Sequence, residues 1–230
     1  MQFPIPTRRL ALAVVLVSVV AHLSVGVAAE GKKQGPERWE ADIQKFEAAD
    51  QASAPKSGGV LFIGSSSIRM WKTLAEDFPG ASTINRGFGG SEMSDSIHFS
   101  ERIVLPYKPR QIVVYAGDND ISRGKTAEVV AEDFKRFVKT VRAGLPDVRL
   151  GFIAIKPSLK RWNLAPAMEE ANKKIRDYCR RERGVVYLDI WTPMLGKDGK
   201  PKPELFAADG LHLSREGYDL WTSVIRPYVK

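Results

Sequence analysis

Cysteine is almost absent from this chain: Cys179 is the single one in 230 residues. No internal disulfide can form, and a lone thiol in a helical setting reads as a buried structural residue. Histidine is nearly as scarce, with three in the whole chain. Together they make no Cys/His cluster of the kind that holds zinc. Several ligand motifs fail by one residue. Gly87-Phe88-Gly89 is no dinucleotide fingerprint, because Glu92 stands where the third glycine belongs. Gly124-Lys125-Thr126 is no phosphate loop, because Asn119 stands where its first glycine belongs. Gly64-x-Ser66 is not followed by the glycine of a nucleophile elbow, since Ile68 occupies that place. A basic stripe is missing as well. The net charge is +8, yet the excess is scattered in short clusters such as Lys32-Lys33 and Arg180, Arg181 and Arg183, which solvated faces explain better than a nucleic-acid surface. No internal repeat and no second domain are visible.

An apolar run of membrane length is also lacking. Leu10 to Val20 is short for a span and His22 follows it, so no stable membrane anchor is expected. Its setting explains it better. Arg8 and Arg9 precede it and the small residues Val27-Ala28-Ala29 follow, which predicts a secretory signal over residues 1–29 and an exported, periplasmic or extracellular protein. The signal has no cysteine to carry a lipid. Residues 30–58 read as a short amphipathic helix near Arg38 to Ala49 and a Pro/Ser/Gly linker. Residues 59–230 are long enough for one well-buried domain.

Within that domain apolar runs alternate with amphipathic helices. Strands are expected at Val60–Ile63, Ser82–Asn85, Gln111–Ala116, Val148–Ile155 and Val185–Ile190. Helices are expected at Trp71–Phe78, Met93–Leu105, Thr126–Leu145, Leu164–Arg183, and from a Ser214 cap toward Val229. This alternation implies a parallel five-stranded sheet with helices on both faces. Ligands of such sheets sit outside the carboxyl ends of the strands. Ser66, Gly90 and Asn119 each lie just past a strand end, and Asp209 and His212 lie in the loop before the last helix.

Those residue types make a kit for acyl transfer. A serine hydroxyl needs a base within hydrogen-bond reach. His98 falls mid-helix with no acid beside it. His212 lies three residues after Asp209, whose carboxylate can hold the imidazole in one tautomer. Ser65, Ser66 and Ser67 form a run at a strand end, where any of them could serve as nucleophile or as helix cap. Gly90 allows close backbone approach, and Asn119 supplies a side-chain N–H for a developing oxyanion. Asp118 and Asp120 could attract a divalent ion but have no third ligand nearby.

Four ordered segments resemble the SGNH hydrolase superfamily, the GDSL-type esterases and lipases: Phe62-Ile63-Gly64-Ser65-Ser66-Ser67, Asn85 to Gly90, Gly117-Asp118-Asn119-Asp120, and Asp209-Gly210-Leu211-His212. The resemblance runs from about Val60 to Tyr228. It implies a three-layer α/β/α, flavodoxin-like fold and no cofactor or metal. It places the nucleophile at Ser66, with Ser65 standing where the family carries Asp and Ser67 as the rival. It makes His212 the base and Asp209 the acid, and assigns the oxyanion donors to Ser66 N–H, Gly90 N–H and the Asn119 side chain. A pocket wall is expected from Arg86, Phe88, Asp118, Arg161 and Trp162, because their loops share the sheet edge of Ser66. The expected activity is hydrolysis of a small-molecule or glycan ester: a short acyl ester, a sugar O-acetyl ester or a lysophospholipid. Acyl transfer and an inactive glycan-binding module are the alternatives.

Overall fold

A computed structural model describes residues 1–4 and 35–229. The expected signal segment therefore lies outside the described residues, apart from its first four positions. Among the described residues no helix is long and apolar enough to cross a membrane.

Five strands, β1 (Val60–Gly64), β2 (Thr83–Gly87), β3 (Gln111–Tyr115), β4 (Arg149–Ile153) and β5 (Val185–Leu188), form one parallel sheet in the order β2-β1-β3-β4-β5. β1 and β3 are buried along their whole length, as strands covered on both faces must be. Register shows how the two faces divide. Phe62 pairs with Val113 and Gly64 with Tyr115, so Phe62 and Tyr115 share a face. Phe62 packs on Trp71 and Phe78, and Tyr115 packs on Trp221 of α10 (Arg215–Ile225). Phe152 pairs with Val114 and so points the other way. It meets Phe134 of α7 (Ala127–Gly144), which in turn meets Tyr178 of α8 (Ala165–Cys179). The α/β fold is thus helix, sheet, helix in three layers.

The long helices match the sequence periodicity. Thr126 caps α7 by accepting from Val129 N–H, and Ser214 caps α10 by accepting from Gly217 N–H. The shorter ones do not. The expected helix Trp71–Phe78 shrinks to α3 (Leu74–Asp77), while a turn of helix, α2 (Ser66–Arg69), starts directly at the end of β1. The expected Met93–Leu105 helix divides into α4 (Met93–His98), α5 (Ser100–Ile103) and a 3-10 turn containing Pro106. It breaks at Phe99, whose ψ of 5° leaves the α-helical range.

The N-terminal helix is α1 (Glu40–Ala52), and it belongs to the same compact unit as the sheet rather than to a separate segment. Its anchor is ionic as well as apolar. Asp50 accepts from Arg86 at 2.5 Å and from the Tyr107 hydroxyl. Arg102 bridges Glu40 and Glu47 at 2.7–2.9 Å.

Candidate active site

The chain passes from β1 to β2 on one side of the sheet centre and then to β3 on the other. The crevice between β1 and β3 is therefore the switch point where ligands of such sheets bind. α2 leaves β1 there, and α6 (Asp118–Ser122) leaves β3 beside it. Two glycines make the tight exit from β1 possible. Gly64 has φ +140°, and a Cβ on it would collide with the Tyr115 carbonyl. A Cβ on Gly87 would collide with the backbone of Arg69.

This turn presents Ser66 and hides its neighbours. Ser65 is buried, with its N–H on the Tyr115 carbonyl at 3.1 Å. Ser67 is also buried, and its carbonyl accepts from Tyr218 Oη at 2.9 Å. Ser66 alone of the three is part-exposed, and His212 Nε2 lies 3.0 Å from its Oγ. Ser66 is also the first residue of α2, where a backbone N–H has no partner within the helix.

The loop before α10 prepares His212. Asp209 Oδ1 accepts the backbone N–H groups of Leu211 and His212, each at 2.9 Å, and Oδ2 lies 2.5 Å from His212 Nδ1. The backbone N–H and then the ring of His212, followed by the N–H of Leu211, hold the Asp209 carboxyl far below its usual range. An ionised carboxylate can only accept, so the ring proton sits on Nδ1 and the Nε2 lone pair faces Ser66. The loop is braced from outside by Lys160, whose N–H donates to the Gly210 carbonyl at 3.0 Å. His98 takes no part. It is exposed and packs edge-on against Phe99 at 4.7 Å.

Gly90 adopts φ +78° beside the same cleft, and Asn119 comes to it from α6. The Asn119 amide is oriented at both ends. Its nitrogen donates to the Ser91 carbonyl at 3.0 Å, and its oxygen accepts from Arg161 Nη1 at 3.2 Å. That leaves the second amide N–H to point elsewhere. Beneath lies a buried ionic group: Asp118 accepts from Lys156 at 2.5 Å and from Arg161, and Lys156 also reaches the Tyr115 hydroxyl at 3.1 Å. Burial alone would raise the Asp118 pKa, but the charges of Lys156 and Arg161 outweigh it and the net shift is downward.

The resulting cleft of about 520 Å³ is lined by Ser66, Gly89, Gly90, Asn119, Leu211 and His212, by Trp39 and Asp42 of the N-terminal segment, and by Arg69, Arg123 and Arg161. Of the five residues expected in its wall, only Arg161 lines it. Arg86 is buried on the far side, tied to Asp50 and Tyr107 and lying against Phe46. Phe88 is in the core between Trp39 and Phe99. Asp118 is buried behind Arg161 and supports it from below. Trp162 stacks on Trp191 at 6.3 Å, outside the lining. Asp120 is consumed internally, accepting from Gly117 N–H, Met93 N–H and Lys125. Among the described residues no group of three or more His, Cys, Asp or Glu could hold a metal ion.

Sequence reasoning missed Trp39, Asp42, Arg69 and Arg123. Arg69 was detectable, since it stands three residues after Ser66 and shares its side of a helical turn. Trp39 and Asp42 had no local signal, because their place depends on where α1 docks.

A family profile described as GDSL-like Lipase/Acylhydrolase matches residues 59–220. No curated protein matches the chain. Among solved structures, a GDSL-like lipase from Bacteroides thetaiotaomicron is 18% identical with a TM-score of 0.71, covering 82% of this chain and 97% of its own. A member of the lipolytic protein G-D-S-L family from Veillonella parvula is 15% identical with a TM-score of 0.61, covering 74% and 96%. An acetyl esterase mutant with acetate ion is 17% identical with a TM-score of 0.59, covering 74% and 95%. At these identities the structures speak for the fold, and the profile over most of the chain speaks for descent: this protein belongs to the GDSL-like lipase/acylhydrolase family, serine hydrolases that act on ester bonds.

Proposed function

We propose that Ser66, His212 and Asp209 form the catalytic triad of an exported esterase that removes short acyl groups. The hydrogen-bond chain from Asp209 through His212 to Ser66 Oγ is the observation that carries this reading. In the first step Ser66 Oγ attacks the ester carbonyl while His212 Nε2 takes the hydroxyl proton. The negative charge that develops on the carbonyl oxygen is met by Ser66 N–H, Gly90 N–H and the second amide N–H of Asn119. Asp209 stabilises the imidazolium. His212 then protonates the leaving alcohol, the ester bond breaks, and an acyl-serine remains. A water, deprotonated by His212, releases the acid.

Two features favour short-chain hydrolysis over other outcomes. Among the described residues Trp39 and Leu211 are the only large apolar side chains in the lining, too little to bury a long acyl chain. The Asp209 and His212 side chains are 42% and 24% exposed, so water reaches the acyl-enzyme. Export rests on the N-terminal basic, apolar and small-residue succession. Purified protein lacking residues 1–29 should hydrolyse aryl acetates faster than aryl octanoates. Ser66→Ala should lose at least about 10³-fold in turnover while remaining folded, whereas Ser65→Ala and Ser67→Ala retain most of it. A folded Ser66→Ala enzyme with near-native turnover, or loss confined to Ser67→Ala, would refute the assignment.

A further inference from the structure

The cleft around Ser66 is far more cationic than ester hydrolysis requires. Among the described residues three guanidinium groups line it; Asp42 is the one carboxylate in the lining and faces Lys45 at 3.3 Å, while Glu92 and Asp118 pair with Arg123 and Arg161 from behind. Arg69 brings an unpaired positive charge to a concave surface that two further, shared guanidiniums already make cationic, a field that favours an anionic ligand.

Two of the guanidiniums are held by carboxylates, and the third, on exposed Arg69, has room over Gly89. Arg69 lies against Gly89, its Nε, Cζ and Nη2 only 2.7–3.0 Å from where a Cβ would be. A side chain at position 89 would exclude it. Among the described residues Arg69 makes no ion pair and no side-chain hydrogen bond. Arg123 donates through Nη1 to Glu92 at 2.6 Å, which leaves Nη2 beside Gly90, 3.7 Å from the position of a Cβ there. Glu92 is shared with Lys125 at 3.0 Å and Arg38 at 3.6 Å, so it does not neutralise Arg123 alone. Arg161 spends Nη1 on Asp118 and Asn119, and Asp118 is also claimed by Lys156. Two of the three forks are thus pinned by buried carboxylates with N–H groups still unspent. Such pre-organised forks match the planar or tetrahedral oxygens of a carboxylate or phosphate.

The geometry points to an ester whose alcohol part bears an anionic group, a carboxylate or a phosphate, with Arg69 as its principal partner and Arg123 and Arg161 flanking it. This rests on the esterase reading above and narrows it. A short acyl group fills little of a 520 Å³ cleft, so most of the remaining lining must face the alcohol. Arg69 is then a residue of substrate selection, and Gly89 is the small residue that admits it.

The test compares probes that differ only in charge. 4-Acetoxybenzoate is set against neutral 4-acetoxybenzamide, with 4-acetoxyphenyl phosphate as a third arm, and kcat/KM is read from phenol release. The carboxylate or the phosphate should be preferred over the amide by roughly tenfold or more, the size of a charge-assisted contact. The preference should shrink as salt is raised. It should collapse toward unity in Arg69→Gln and be partly restored in Arg69→Lys. The better of the two anionic arms tells a carboxylate-bearing alcohol from a phosphorylated one. A ratio near or below unity in the native enzyme overturns the inference while leaving the esterase reading intact. So does a preference that survives Arg69→Gln. If no probe is hydrolysed, the esterase reading fails, and calorimetric binding of 4-hydroxybenzoate against 4-hydroxybenzamide decides the anion question. Tighter binding of the anion upholds it, and equal binding overturns it.

Discussion

Replacing Asp118 by Asn removes one charge from the buried group under the active site and changes almost no volume. Lys156 is 1% exposed and Asp118 4%. In the variant the ammonium keeps the Tyr115 hydroxyl and an amide oxygen but loses its counter-charge. Breaking a buried pair from one side typically costs about 3–5 kcal/mol, because the surviving charge stays desolvated. Arg161 adds little to that sum, since its side chain is 19% exposed and can turn to water. For a domain of this size the loss corresponds to roughly 6–20 °C in Tm. Urea unfolding with an unchanged m-value is the assay. The double change Asp118→Asn with Lys156→Met should recover about 2 kcal/mol or more, because it removes the orphaned charge as well. The pH dependence has a definite sign. The native Asp118 pKa is depressed, so its contribution is complete above the unfolded value of about 3.9 and fades as pH falls through the lower native value. The penalty of Asp118→Asn should therefore be constant at neutral pH and shrink only below about pH 4. A loss under about 1 kcal/mol, or a double variant no better than the single, would show that Lys156 is solvated and refute the reasoning.

Two further outcomes follow from the same contacts. Asp209→Asn should cost up to about 10⁴-fold in turnover with the fold retained, because an amide can donate to Nδ1 and select the wrong tautomer of His212; a loss below tenfold would remove the acid from the mechanism. Burial pushes the Cys179 thiol up to about 12, so it should resist a disulfide reagent at pH 8 in the native protein and react in full on unfolding; fast native labelling would contradict its placement in the core.

The alternation of apolar runs and amphipathic stretches was enough to derive the five strands, the long helices and the parallel sheet, because both signals are local and repeat along the chain. The four short segments carried Ser66, Gly90, Asn119, Asp209 and His212 for a similar reason: strand ends must release the chain at one edge of such a sheet. Asp209 and His212 are even positioned by each other, three residues apart in one turn.

The wall of the cleft was not legible in this way. Arg86 lies near the end of the right strand and Phe88 follows it, yet both side chains are buried, because the N-terminal segment comes to rest over them and supplies Asp50 from α1 and Trp39 from the turn before it. Nothing near Arg86 in the sequence announces a partner 36 residues earlier. Trp162 sits in the right loop, but Trp191 offers it an aromatic face. Arg123 and Arg161 look alike in sequence to any solvated arginine, and only the buried carboxylates of Glu92 and Asp118 turn them into fixed parts of the cleft. Sequence alone determined the fold class and singled out Ser66, His212 and Asp209, which the structure brings within hydrogen-bond reach of one another, since these depend on periodicity and on spacing within single turns. Tertiary structure decided which side chains meet the substrate, since that depends on which way each side chain faces once distant elements compete for the same buried space and the same few counter-charges.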